Sequence, residues 1–112
     1  MRKRTVAVLL ALAIGAVAAL PVFAATPKFN GSVGPGFTIS MAKKPTKAGK
    51  ATIVVSDKSS FHNFHLKGPK VNVKTSVAAT GSKSFTVTLA KGKYTFLCDP
   101  HPTTMKGSFT IK

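Results

Sequence analysis

Tyr94-Thr-Phe-Leu-Cys-Asp-Pro-His-Pro-Thr-Thr-Met105 runs straight into Lys106-Gly-Ser-Phe-Thr-Ile-Lys112. In the first part Tyr94, Phe96 and Cys98 fall two residues apart, so on a strand they share one face while Thr95 and Leu97 take the other. Asp99 and Pro100 interrupt that alternation, as a turn former followed by a residue with no N–H to give a ladder. Phe109 and Ile111 then resume the period of two. The stretch reads as two short strands around a Pro-rich loop, and it sets the pattern for everything upstream.

Residues 85–89, Phe-Thr-Val-Thr-Leu, repeat the alternation, and the turn 90–93 leads into Tyr94. Val71, Val73, Thr75 and Val77 alternate with polar positions, and 78–82 reads as a turn. Residues 61–66 read as extended and end at Gly68-Pro69; 52–56, centred on Ile53-Val54-Val55, form a strand, with Asp57 opening a turn. Residues 42–50 are a polar loop, 37–41 a strand, and 26–36 an irregular opening strand broken by Pro and Gly. Seven or eight short strands with a turn about every ten residues predict an all-β sandwich of Greek-key type. Phe37, Ile39, Val54, Val73, Phe85, Val87, Leu89, Phe96, Phe109 and Ile111 are the expected core.

Residues 1–24 belong to a different class. Arg2, Lys3 and Arg4 precede an apolar run over 6–20, Pro21 breaks it, and Val22-Phe23-Ala24 fits a cleavage site. We read a signal peptide ending at Ala24, with an uncleaved membrane anchor as the alternative. The expectation is an exported protein in a periplasmic, cell-envelope or extracellular setting, with residues 25–112 as one domain of 88 residues. A domain of that size buries only about 60–65% of its unfolded surface, and Cys98, the only cysteine, cannot form a disulfide within the chain. An unpaired cysteine in an oxidising compartment needs burial or a metal.

Charge excludes some classes and favours others. Beyond the leader there are 14 Lys, no Arg, and only Asp57 and Asp99, a balance of +12. Nucleic-acid readers favour the planar fork of Arg, so no nucleic-acid partner is expected. A Lys-only surface makes a diffuse positive field that attracts acidic proteins or an anionic cell-envelope surface. Two carboxylates and no nucleophile–base pair leave little for catalysis, so an enzyme is not expected.

Cys98, His101 and Met105 set a thiolate, an imidazole and a thioether within eight residues. Soft sulfur with imidazole suits copper, and a thioether suits zinc poorly. One more histidine would complete the set, and Phe61-His62-Asn63-Phe64-His65 offers two. His62 and His65 lie three apart, so on a strand they face opposite ways and only one serves. Asp99 reads as a turn former rather than a ligand.

The segment from Gly92 to His101, followed by Met105, Gly107 and a final Phe-Thr-Ile strand, resembles the C-terminal signature of plastocyanin-like cupredoxins, the type 1 blue copper proteins. His62-Asn63, after a Ser-rich turn, resembles the upstream histidine of that family and the Asn that follows it. The resemblance runs from about Gly36 to Lys112. It implies His62, Cys98 and His101 as equatorial ligands of one copper ion, Met105 as the axial ligand, and Asn63 bracing the Cys98 loop, with Pro100 and Pro102 at the rim above His101. It favours His62 over His65, which is then an edge histidine. The gap of three residues before Met105 lies between those of amicyanin-like and plastocyanin-like members, which leaves the potential open.

A small exported copper protein carrying single electrons between redox partners is the leading expectation, as a monomer that meets an acidic redox protein through its lysines. The alternative is a copper binding or delivery protein of the cell envelope without electron transfer. A third reading is an adhesion module in which the lysines do the work.

Overall fold

β-Branched and aromatic residues at every second position form strands because alternate side chains can then pack into one layer. The computed structural model describes residues 25–112, so the expected leader lies outside the described residues. Eight strands form: β1 (Lys28–Val33), β2 (Ile39–Met41), β3 (Gly49–Asp57), β4 (His65–Gly68), β5 (Val71–Lys74), β6 (Gly81–Leu89), β7 (Gly92–Leu97) and β8 (Lys106–Ile111). They pair as two sheets, β2-β1-β3-β6 and β5-β4-β7-β8. Only β1 and β3 pair in parallel. The chain changes sheet after β3, β5 and β6, and the outcome is the expected Greek-key sandwich without helix among the described residues.

The registers sort the connections into two poles. Residues 34–38, 58–64, 75–80 and 98–105 gather at one end, and 42–48, 69–70 and 90–91 face the other. The first we call the metal pole and the second the remote pole.

Between the sheets Val33, Ile53, Val55, Leu66, Leu89, Tyr94, Phe96 and Ile111 are buried, and each large aliphatic or aromatic side chain hidden there contributes about 1.5–3 kcal/mol. Phe64 stacks on Phe96 with ring centroids 5.4 Å apart, and Tyr94 stacks on Phe109 at 5.2 Å. Gly107 makes the first stack fit, since a Cβ there would lie 2.2 Å from the Phe96 ring.

Five of the ten expected core residues are buried: Val87, Leu89, Phe96, Phe109 and Ile111. Ile39, Val73 and Phe85 pack against the core but stay partly exposed. Val54 is a correction: Ile53 and Val55 take the inner face, and Val54 looks outward between Asn30 and Ser84. Three consecutive branched residues do not reveal which phase of the alternation points inward. Phe37 is a larger correction, 68% exposed in the β1–β2 connection instead of in the core.

Candidate metal centre

Cys98 follows β7 directly, so the alternation that buries Tyr94 and Phe96 also turns the thiol inward, where it is fully buried. The ladder continues one pair past β7 and β8, with the Cys98 N–H donating to the Met105 carbonyl at 3.0 Å. Residues 99–104 therefore form a closed loop. Inside it the His101 N–H donates to the Cys98 carbonyl and the Met105 N–H to the His101 carbonyl. Those bonds curl His101 back over Cys98 and leave Met105 buried, 1% exposed, at the loop's exit.

His62 arrives from the β3–β4 connection rather than from a strand. The extended segment expected from residue 61 starts as a strand only at His65, so opposite faces of one strand do not explain the choice of histidine. The connection is shaped by buried polar groups. Asp57 Oδ1 accepts from the Ser59 N–H, Ser59 Oγ accepts from the Phe61 N–H, and Thr75 Oγ1 accepts from the Phe64 N–H. Gly34, with φ of +74°, packs so closely on Ser59 that a Cβ there would meet it at 2.7 Å. Those contacts bring the β1–β2 connection over His62.

Three donors converge as a result. Cys98 Sγ lies 3.7 Å from His62 Nδ1 and 3.7 Å from His101 Nδ1, and all three atoms fall within 4.8 Å of one another. Metal bonds of about 2.0 Å to imidazole nitrogen and about 2.3 Å to thiolate, spread trigonally, put such donors ~3.7 Å apart. The cluster thus fits a single soft or borderline ion. His62 is buried and His101 half-exposed, so the cluster reaches the surface through the His101 ring.

Phe37 explains its own exposure here. Its ring meets His62 edge-on at 5.2 Å and His101 at 5.1 Å between centroids, while the two imidazoles lie 4.9 Å apart. One aromatic face therefore covers both histidines.

Around the thiol, Asn63 binds two parts of the chain. Its N–H donates to Cys98 Sγ at 3.4 Å, its Nδ2 donates to Asp99 Oδ2 at 2.8 Å and to the Thr75 carbonyl, and its Oδ1 accepts from the Asp99 N–H at 2.8 Å. Asp99 does more than form a turn. Its Oδ1 also meets His65 Nδ1 at 2.7 Å, and Asn72 Oδ1 meets the other ring nitrogen of His65. His65 is accordingly buried beside the Cys98 loop rather than a surface residue, and it stays out of the donor cluster. Partial burial alone would raise the Asp99 pKa, but hydrogen bonds from His65 and Asn63, with the charges of His65 and Lys74, outweigh it and hold the carboxyl below its usual range. Pro100 and Pro102 are exposed on either side of His101.

Sequence reasoning missed Phe37, Thr75 and the bridging role of Asp99. Only Asp99 left a signal, as one of two carboxylates in the domain, placed next to its single cysteine.

Comparison with known proteins bears on the fold and the family. No curated relative matches the sequence significantly. Reduced rusticyanin superposes with a TM-score of 0.59 at 21% identity, covering 80% of this chain and 82% of that one. Dithionite-reduced auracyanin from Roseiflexus castenholzii gives 0.55 at 21% identity, with coverage of 80% and 99%. Auracyanin A from Chloroflexus aurantiacus, a blue copper protein, gives 0.54 at 17% identity over 79% and 100% of the two chains. These likenesses establish a common fold. Residues 28–112 match the family described as copper binding proteins, plastocyanin/azurin family. With that match over most of its length, the chain belongs to the plastocyanin/azurin family of copper-binding, electron-transport proteins, and copper is its cofactor.

Proposed function

We propose that this is an exported blue copper protein of type 1 that carries single electrons, with His62, Cys98 and His101 as equatorial ligands and Met105 as the axial one. The observation that carries the reading is the convergence of His62 Nδ1, Cys98 Sγ and His101 Nδ1 beneath Phe37. Copper, when bound, supplies a one-electron couple between Cu(I) and Cu(II). Everything else is the work of the chain. Asn63 and the closed loop 99–104 fix Cys98 and His101 against movement, which suits ligands that must serve two oxidation states without rearranging. Phe37 and the buried side of His62 keep water from the donors. His101 offers the shortest route to the surface, between Pro100 and Pro102. A braced site of this kind favours electron carriage over copper delivery, which needs ligands that open.

An acidic redox protein is the partner we propose. It seats on the metal pole, where Lys58 and Lys106 stand beside the loops that carry His62 and His101. Residues 1–24 fit a signal peptide cut after Ala24, which supports export.

Addition of Cu(II) to the purified protein tests the reading. An intense visible band from thiolate-to-copper charge transfer is expected, absent in Cys98→Ser and in His62→Ala and retained in His65→Ala. A colourless Cu(II) complex of the unaltered protein would sink the assignment, and colour retained in His62→Ala but lost in His65→Ala would overturn the choice of histidine.

A further inference from the structure

We propose that the remote pole is a membrane-docking face, which holds the protein against an anionic bilayer with the metal pole turned away from it. The proposal goes beyond the copper reading and stands or falls separately.

The lysines are not spread evenly. The four connections of the metal pole contain one lysine, Lys58, whereas the three connections of the remote pole contain Lys43, Lys44, Lys47, Lys70 and Lys91. Lys50, Lys93 and Lys112 stand within two residues of strand ends at the same pole. Both acidic side chains of the described residues, Asp57 and Asp99, lie at the metal pole, so no acidic side chain offsets the remote lysines. Apart from Lys44, whose ammonium folds back to 6.0 Å from the Phe96 ring centroid, these side chains have no ionic or aromatic partner among the described residues.

Three features commit the face to a bilayer. The charge is carried by flexible ammonium groups on several elements, with no Arg fork to fit one carboxylate or phosphate, which is how a broad anionic surface is met. The chain enters the domain at this pole, where Ala25 and Pro27 line an open groove of about 560 Å³ with Lys43, Lys47 and Lys50, so the N-terminal segment adds no acidic group to shield these lysines. Finally, the nine residues of β3 separate the poles by roughly 30 Å at the usual strand rise. An acidic redox protein seated on the remote lysines would therefore have the copper ligands on the far side of the domain, whereas a membrane there leaves His101 free.

Vesicle binding tests this with the copper-loaded protein as recovered from the cell. The readout is the ratio of partition onto phosphatidylglycerol/phosphatidylcholine vesicles to partition onto phosphatidylcholine alone, which cancels any apolar insertion by residues 1–24. Each lysine at an anionic surface is worth about fivefold. Combined Lys43→Gln, Lys47→Gln, Lys70→Gln and Lys91→Gln is expected to lower the ratio by roughly 100-fold or more, while the matched set Lys58→Gln, Lys74→Gln, Lys83→Gln and Lys106→Gln lowers it by less than about tenfold. Retention of the far-UV circular dichroism spectrum reports folding in each set. Should the remote set fail to fold, Lys70→Gln with Lys91→Gln carries the test, at about 25-fold. An equal fall in both sets overturns the proposal, because net charge alone would then explain binding. So does a ratio near one for the unaltered protein, and so does binding to polyglutamate without binding to vesicles, which would assign the face to an acidic protein.

Discussion

The two poles are built from the same kind of short connections, yet they are held in different ways. At the metal pole three of the four connections are tied by polar side chains: Asp57 and Ser59 shape one, Thr75 joins it to the next, and Asn63 links that to Asp99 beside the thiol. At the remote pole one tyrosine does most of the tying, with Tyr94 Oη accepting from the Ala90 N–H and donating to the Pro69 carbonyl. The lesson is that buried polar ties are concentrated around the donor cluster and free positive charge at the opposite pole. Losing one polar group should therefore hurt the first pole most in its chemistry and the second only in stability.

The largest effect short of removing a ligand is expected from Asn63→Ala. It strands the Asp99 N–H and cuts the side-chain ties to Asp99 and the Thr75 carbonyl that hold the Cys98 loop, while the backbone N–H to Cys98 Sγ survives, so stability should fall by about 2–4 kcal/mol in urea titration, with a weakened or shifted visible band. If the band and the denaturation midpoint stay put, the metal pole is not braced in the way described. Tyr94→Phe is the matching change at the remote pole. It leaves the Ala90 N–H and Pro69 carbonyl without their partner and should cost about 1–3 kcal/mol, yet leave the visible band unmoved. A spectral change there would show that the poles are coupled through β7. The smallest effect on stability belongs to Phe37→Ala, because the ring is exposed: under ~0.5 kcal/mol. Its effect should be electronic instead. Water admitted beside His62 and His101 favours the more highly charged oxidised state, so the midpoint potential should drop in a redox titration. An unchanged potential would reduce Phe37 to a bystander.

Much of the fold was legible because a period of two survives in the raw sequence, and Cys98 and His101 of the donor cluster stood out because they are neighbours in the chain. What the chain order hides is what tertiary contact creates. His62 and His65 differ only in which reaches Cys98, and that depends on where β4 begins. Phe37 looks like a core residue in composition and is instead spread over two imidazole rings. The positive balance could be counted from the sequence, but its concentration at one end follows from the strand directions.

Tyr94 has one further consequence. By joining Ala90 to Pro69 it fastens together the turns that bear Lys91 and Lys70, so the folded chain holds like charges closer than the unfolded chain would. The domain acts as a loaded electrostatic spring, which salt relaxes by screening. An anionic surface would relax it too, turning self-repulsion into added stability for the bound protein.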